Sequence, residues 1–263
     1  MLKKHYLKEI EIKCPLKKGA KGNDVKKVQE WLNLWRYQNL LWKYNVTIDG
    51  DFGQQTQSAV IEFQKLMELE PDGIIGSQTF GILCNPLKKA FEPIAGSNIR
   101  ELVVDYARQH LRNNPRELAQ NSGPWVRSYM DGNEGKAWAW CMGFVQTILD
   151  MAFSTIGKKY TSCIPATFGC DEVGNHGILK NRLIRNKELR ISAEIVKPGD
   201  IFLVSKTPTD WTHTGIITAI EGDSFITIEG NTNDEGSREG YEVCKRNRNF
   251  KKEKLDVFVV EKG

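Results

Sequence analysis

The sequence predicts two domains, an N-terminal all-α three-helix bundle and a C-terminal α+β domain with an antiparallel sheet. Three observations predict it. Through the first third, apolar residues recur at helical spacing between glycine-rich turn signals. Residues 87–98 then read as a linker, with Pro93, the pair Lys88-Lys89 and Gly96-Ser97. Beyond it, two amphipathic helical patterns precede a run of short β-branched segments, the helices-then-strands order of an α+β domain.

Composition narrows the function classes. A chain of 263 residues, 27% charged and 40% apolar, has enough apolar surface for two real cores and is not a disordered chain. The net charge of +4 is carried by residues 1–90, where 14 Lys and Arg face 10 Asp and Glu. That mild excess suits docking on an anionic polymer and is far from a nucleic-acid footprint. The start, MLKKHYLKEIEIKCPL, has Lys3 and Lys4 with no apolar run behind them. The sequence therefore predicts no secretory signal and no stable membrane insertion; a protein made in the cytoplasm would need another route to an external substrate. Six cysteines at 14, 84, 141, 163, 170 and 244 form no dense framework and are expected as reduced thiols. Cys163, Cys170 and His176 match no common zinc spacing, so no metal site is predicted.

Taken in order, residues 1–14 form an N-terminal arm, with Tyr6, Ile10 and Ile12 spaced for an extended strand-like lead. Residues 15–86 form the first domain. Gly19, Gly22 and Asn23 punctuate its start, and Val25, Val28, Gln29, Leu32 and Trp35 mark a helix face. Trp31 and Trp42 lie near that helix and make it a candidate ligand platform, although core roles are commoner for such residues. An internal repeat follows: Asp49-Gly50-Asp51-Phe52-Gly53-x-x-Thr56 and Asp72-Gly73-Ile74-Ile75-Gly76-x-x-Thr79, offset by 23 residues. Each copy predicts a turn with positive φ at its Asp-Gly step and a helix beyond it. Thr56, Ala59, Val60, Phe63 and Met67 face inward on one helix, and Phe80 and Leu83 on a shorter one that starts at Ser77. Nothing in this unit pairs a nucleophile with a base, so it reads as a binding or structural module.

These residues carry a resemblance. Leu16-x2-Gly19-x2-Gly22-x2-Val25-x2-Val28-Gln29-x2-Leu32, then DGDFGQQTQSAVIEFQ and DGIIGSQTFGIL, closely resemble the peptidoglycan-binding domain of bacterial and phage cell-wall enzymes. The resemblance implies a three-helix bundle that docks on peptidoglycan. The Trp-rich stretch 31–42 is longer than the family pattern.

Residues 99–263 form the second domain. Its first helix carries Val103, Tyr106, Ala107, His110 and Leu111 on one face, where His110 reads as a packed residue and not a base. A loop-rich segment leads to Trp138-Ala139-Trp140-Cys141, after which Phe144, Val145, Ile148, Leu149 and Ala152 mark an amphipathic helix. Cys141 thus stands at a helix start, where unpaired N–H groups and the helix dipole favour a thiolate. Val196-Lys197-Pro198-Gly199-Asp200 is a turn launching a strand at 201–204; further strands are predicted at 214–220, 224–229 and 256–260. If Glu221-Gly222-Asp223 is a three-residue loop, Ile220 faces Ser224 and His213 lies opposite Asn231, with Glu229 on the same face. An even-length loop would move Asn231 and Glu229 to the other face. A histidine beside a carboxylate and an amide is a base with an orienter.

AWCMGFV, the Pro-Gly-Asp before a strand, His213-Thr214-Gly215, Ile228-Glu229-Gly230-Asn231-Thr232 and GSREGYEV together resemble the CHAP family of cysteine, histidine-dependent amidohydrolases/peptidases. The resemblance implies a papain-like fold with Cys141 as nucleophile, His213 as general base and Glu229 and Asn231 as polar orienters. It implies no metal and no organic cofactor. Met142-Gly143 departs from the commonest wording of the family. Trp138, Trp140 and Trp211 are expected to contact substrate. With the N-terminal unit, this predicts an endolysin-like peptidoglycan hydrolase, expected as a monomer and released to the wall by a holin-type or other non-Sec route. It would act as an N-acetylmuramoyl-L-alanine amidase or as a stem or cross-bridge endopeptidase. The alternatives are a non-catalytic wall-binding protein and an acyltransferase on the same fold.

Overall fold

A computed structural model describes residues 4–233 and 240–262 of the chain. The N-terminal unit is helical. After α1 (Tyr6–Glu9), helices α2 (Asn23–Trp35), α3 (Gln54–Leu66) and α4 (Ser77–Leu83) form the bundle. Their inward faces meet around Val25, Val28, Leu32, Val60 and Phe63, all fully buried, so the predicted apolar stripes are the core.

The repeated Asp-Gly turns are held by a device common to both. Gly50 and Gly73 have φ of 75° and 72°, the left-handed conformation that glycine adopts without a Cβ penalty. A buried glutamine from the preceding helix clamps each turn. Gln29 Nε2 donates to Asp49 Oδ1 at 2.8 Å, and its Oε1 accepts from the Gly50 N–H at 2.9 Å. Gln64 repeats this with Asp72 Oδ1 at 2.8 Å and the Gly73 N–H at 2.8 Å. A side-chain amide can satisfy a donor and an acceptor of a buried turn at once, which is why glutamine stands at both positions.

Three expectations need correction here. Residues 6–9 of the arm are helical, not extended: Tyr6 stacks on Phe91 with ring centres 4.1 Å apart, and Glu9 is buried. The stretch expected as a linker opens inside helix α5 (Asn85–Ala90), with Leu87, Ala90 and Phe91 buried. Pro86 sits in the first turn of that helix, where its missing N–H costs nothing. The Trp-rich stretch is shared between the two domains: Trp35 and Trp42 meet Phe63 edge-on at 5.1 and 6.4 Å, while Trp31 meets Trp125 edge-on at 6.3 Å and the Arg116 guanidinium lies 4.6 Å from the Tyr37 ring centre.

The second domain opens with α6 (Ile99–Arg112), capped by the Asn98 side chain, which accepts from the Arg100 and Glu101 N–H groups. Helices α7 (Pro124–Tyr129), α8 (Cys141–Thr155) and α9 (Cys170–Leu179) follow, then β1 (Leu183–Ile184) and α10 (Asn186–Leu189). Strands β2 (Ile201–Thr207), β3 (Asp210–Glu221), β4 (Ser224–Thr232), β5 (Glu242–Asn249) and β6 (Leu255–Phe258) complete a six-stranded antiparallel sheet of order β1-β6-β2-β3-β4-β5. Helix α8 lies across β3 and β4 and is buried from Cys141 to Phe153. The domain is α+β, as predicted. Strands β1 and β5 were not: β1 is two residues long, and EVCKRNRN in β5 lacks the apolar alternation of a half-buried strand.

The β3–β4 register is a fourth correction, with a useful cause. Glu221 pairs with Ser224, so the loop is the two residues Gly222 and Asp223, not three. A bulge between Ile217 and Ala219 then inserts one residue, and Ile217 pairs with Thr227 and Ile216 with Ile228. An extra residue in one strand flips its facing exactly as an extra loop residue would. The Ile216–Ile228 end of the hairpin therefore has the predicted facing, through a bulge at Thr218.

Candidate active site

Cys141 is the first residue of α8, and its backbone N–H belongs to the first turn, where intrahelical partners are lacking. Its side chain is 6% exposed. Gly230 lets β4 approach this helix start, since a Cβ there would lie 2.7 Å from Phe144 Cβ and 2.9 Å from the Trp140 ring. Any larger residue would push the strand, and the residues it carries, away from Cys141.

His213 on β3 is 4% exposed, and its Nε2 lies 2.8 Å from Glu229 Oε2. Its Nδ1 has no hydrogen-bond partner among the described residues, and Cys141 and Glu229 are the two titratable groups that act on the ring. Glu229 on β4 is fully buried and densely satisfied. It accepts from Arg248 Nε at 2.8 Å, Arg248 Nη2 at 2.6 Å and the Thr227 hydroxyl at 2.6 Å. The paired Arg248 bonds are the bidentate geometry that fixes a carboxylate most firmly. Arg248 also reaches Glu253 at 3.0 Å.

These contacts set the charges. Burial alone would push the Glu229 carboxyl up, but the Arg248 guanidinium and the His213 ring hold it down at about 2. Burial alone would push His213 down; hydrogen bonds and charge from Cys141 and Glu229 override it and raise the ring to about 9. Cys141 is lowered well below the ordinary thiol range by a hydrogen bond from Cys170, against burial, with His213 and the Met142 N–H adding to the effect. Both shifts favour the thiolate–imidazolium form of the pair, backed by an ionised carboxylate.

Asn231 is buried with φ of 55° and lies beyond the last pairing of β3 with β4, Ile216 with Ile228. It does not bond the imidazole, and its Oδ1 has no partner among the described residues. Of the three tryptophans expected to contact substrate, only Trp138 is accessible, at 36%, with its ring edge-on to Phe168 at 6.0 Å. Trp140 and Trp211 are corrected to core residues. Trp140 is fully buried, stacked on Tyr129 at 5.5 Å, with its N–H on Glu117. Trp211 donates its N–H to Asp256 at 2.9 Å. His110 is buried between the Tyr129 hydroxyl at 2.8 Å and Met151 sulfur, and burial pushes it down to about 3, a neutral packed ring.

Cys163, Cys170 and His176 go to different partners: Cys163 to the Val260 carbonyl, Cys170 to Cys141, and His176 onto the Phe258 ring. Residues 236–239 of the GSREGYEV stretch lie outside the described residues. Arg248 and Cys170 are the site residues that the sequence reading missed. Arg248 sits on the polar edge strand β5, and its only sequence signal is a cation four residues beyond Cys244, which pairs with Glu229. Cavities of about 490 and 500 Å³ open elsewhere, beside Arg108 and Lys197 and beside Leu41 and Tyr44, away from Cys141.

Comparison with known proteins agrees with this geometry. Residues 21–83 match the family described as a peptidoglycan binding domain, and residues 130–231 match the CHAP domain family. The second match spans Cys141, His213, Glu229 and Asn231 and ends before Arg248. A wall-binding domain followed by a CHAP domain gives the chain a peptidoglycan-acting, endolysin-like hydrolase role. No curated protein matches the chain. Among the described residues, no helix is long and apolar enough to cross a membrane.

Proposed function

We propose that the chain hydrolyses an amide bond of peptidoglycan by acyl transfer through Cys141, as a muramoyl-alanine amidase or a stem or cross-bridge endopeptidase. The observation that carries this reading is the buried chain His213–Glu229–Arg248, with Cys141 at the start of α8 acting on the His213 ring. The Cys141 thiolate attacks the amide carbon, and the developing oxyanion is held by backbone N–H groups of the first turn of α8. The C–N bond breaks as the His213 imidazolium gives its proton to the leaving amine. Neutral His213 then takes a proton from water, which attacks the thioester, releases the carboxylate product and restores the thiolate.

Glu229 is ionised throughout and steadies the imidazolium, and Arg248 keeps Glu229 ionised and correctly aimed. Asn231 supplies an unpartnered amide oxygen at the wall of the site, and Trp138 with Phe168 forms an accessible aromatic rim for substrate. The N-terminal domain holds the enzyme on the polymer and raises the local concentration of scissile bonds.

Purified protein should clear a peptidoglycan suspension, and Cys141→Ala should not clear it while still sedimenting with the wall. Equal clearing by both proteins would overturn the cysteine mechanism. On defined muropeptides, release of an intact stem with a free alanine amine identifies the amidase; shortened stems or opened cross-links identify the endopeptidase.

A further inference from the structure

Trp140, the residue before Cys141, caps α8: its carbonyl accepts the Phe144 N–H at 2.9 Å. Its indole is fixed on three sides. One face stacks on Tyr129 at 5.5 Å, and Gly230 of β4 sits against the ring, where a Cβ would lie 2.9 Å away. The ring N–H donates to Glu117 Oε2 at 3.1 Å. Glu117 stands half-buried in the loop between α6 and α7, and the same carboxylate oxygen accepts the Asn121 N–H at 2.8 Å. Burial alone does not recruit such a partner: the indole N–H groups of Trp35 and Trp42 are buried with none among the described residues.

The loop that carries Glu117 is itself anchored. It holds the segment leading to Cys141, since the Gly135 N–H donates to the Asn121 carbonyl at 2.7 Å and the Gly123 N–H to Glu134 Oε2 at 2.9 Å. It joins β5 through the Glu117 N–H on the Tyr241 carbonyl at 2.9 Å and the Val243 N–H on the Pro115 carbonyl at 3.1 Å. The N-terminal domain reaches it too. Asn114 Nδ2 donates to the Tyr37 carbonyl at 3.0 Å, and the Arg116 guanidinium lies 4.6 Å from both the Tyr37 and Tyr241 ring centres. Glu117 therefore presents a fixed acceptor to the side chain next to Cys141.

We propose that Glu117 is a positioning residue for the reaction at Cys141, acting through the Trp140 indole. The proposal rests on the reading of Cys141 as the nucleophile. Trp140 bridges Glu117 to β4, the strand that carries Glu229. A ring released from Glu117 can turn or slide against Gly230, and the helix start that it caps moves with it. Cys141 then shifts against His213, whose own place is set from β3 and by Glu229. A displacement of about 1 Å between reacting groups lowers turnover on the order of 100-fold.

The test uses the full chain and soluble muropeptides, which need no wall anchoring. Glu117→Ala should lower kcat per folded molecule about 10- to 100-fold, with KM within about twofold. Iodoacetamide labelling of the Cys141 peptide, followed against pH by mass spectrometry, should show the thiolate forming at higher pH, because the sulfur has moved from His213. Glu117→Gln keeps an acceptor oxygen for both donors and should restore kcat and the labelling profile to near wild type. Trp140→Phe breaks the same bond from its other end and retains the stack on Tyr129, so the test does not depend on one variant folding. It should match Glu117→Ala, and the double variant should be no slower than either single. A bond that only stabilises the fold would lower the melting temperature and leave kcat and the labelling profile unchanged. That result would overturn the proposal, as would losses that multiply in the double variant. Cys141→Ala in the same assay separates the two readings. Turnover by that variant would overturn the nucleophile assignment; an inactive Cys141→Ala beside a Glu117→Ala with wild-type kcat would overturn the positioning role alone.

Discussion

Arg127, at the seam between the two domains, and Arg248, behind the active site, both bind carboxylates out of solvent, in opposite arrangements. Arg127 is shared among three: Glu9 at 2.7 Å, Glu30 at 2.6 Å and Glu134 at 2.9 Å. Around Arg248 the shared group is the carboxylate: Glu229 takes two bonds from the guanidinium, one from Thr227 and one from His213. The consequences for charge differ. Burial pushes the Glu30 carboxyl up, and Arg127 does not reverse this because Glu9 and Glu134 add repulsion. Burial also works against Glu229, yet its donors hold it near 2. One cluster closes on itself and fastens two domains. The other passes its charge through an imidazole to a sulfur. Burial and ion pairing are alike in both, so neither marks a functional site; the unsaturated end of the network does.

Substitution at each arginine would break the comparison if the roles were reversed. Arg127→Met should leave buried carboxylates unpaired and cost about 3–5 kcal/mol of stability, read from the denaturant midpoint. Its wall-clearing rate per folded molecule should stay within about twofold. Arg248→Met should lower that rate on the order of 100-fold, because Glu229 loses the group that keeps it ionised and aimed. Loss of catalysis in the first variant and not the second would sink the distinction.

Acid titration sharpens it. The Glu229 value in the fold, about 2, lies below its ordinary 4.5. Its contribution is therefore present above 4.5 and lost as pH falls through 2, on the order of 3 kcal/mol. Arg248→Met should remove most of that acid-limb slope in urea melts between those limits. A next effect is on the pH–rate profile. The proposed mechanism requires the thiolate and the imidazolium, so turnover should fall on the alkaline side as His213 deprotonates around 9. Glu229→Gln takes away the charge that raises His213, and the alkaline limb should move to lower pH; an unmoved limb would mean that His213 is not the group titrating. The smallest effect belongs to the rim. Trp138→Ala should raise KM about 2- to 10-fold with little change in kcat, measured on soluble muropeptides.

Much of this was legible in the sequence because it is written in local periodicity. Helical spacing located α2, α3, α6 and α8, and alternating β-branched residues located β2, β3, β4 and β6. The meeting of His213 with Glu229 followed from strand arithmetic, although the loop is one residue shorter than assumed and a bulge at Thr218 makes up the difference. What escaped was non-local. Whether an aromatic beside Cys141 faces solvent depends on its neighbours, and Trp140 is roofed by Tyr129 while Trp138 is not. Arg248 lies on an edge strand whose polar text carries no pattern of burial.

The helical arm has a practical consequence for anyone exchanging parts of this molecule. Residues 4–13 precede the wall-binding unit in the chain, yet Glu9 pairs with Arg127 of the catalytic half and His5 lies against Gly132. A cut at 87–98, the natural place to splice in a new targeting module, discards the arm together with Glu30 and leaves Arg127 with Glu134 alone. A retargeted chimera should keep residues 4–13 and replace the segment between them and α5, and it should supply its own carboxylate where Glu30 now stands. The boundary for grafting is thus not the boundary seen along the chain.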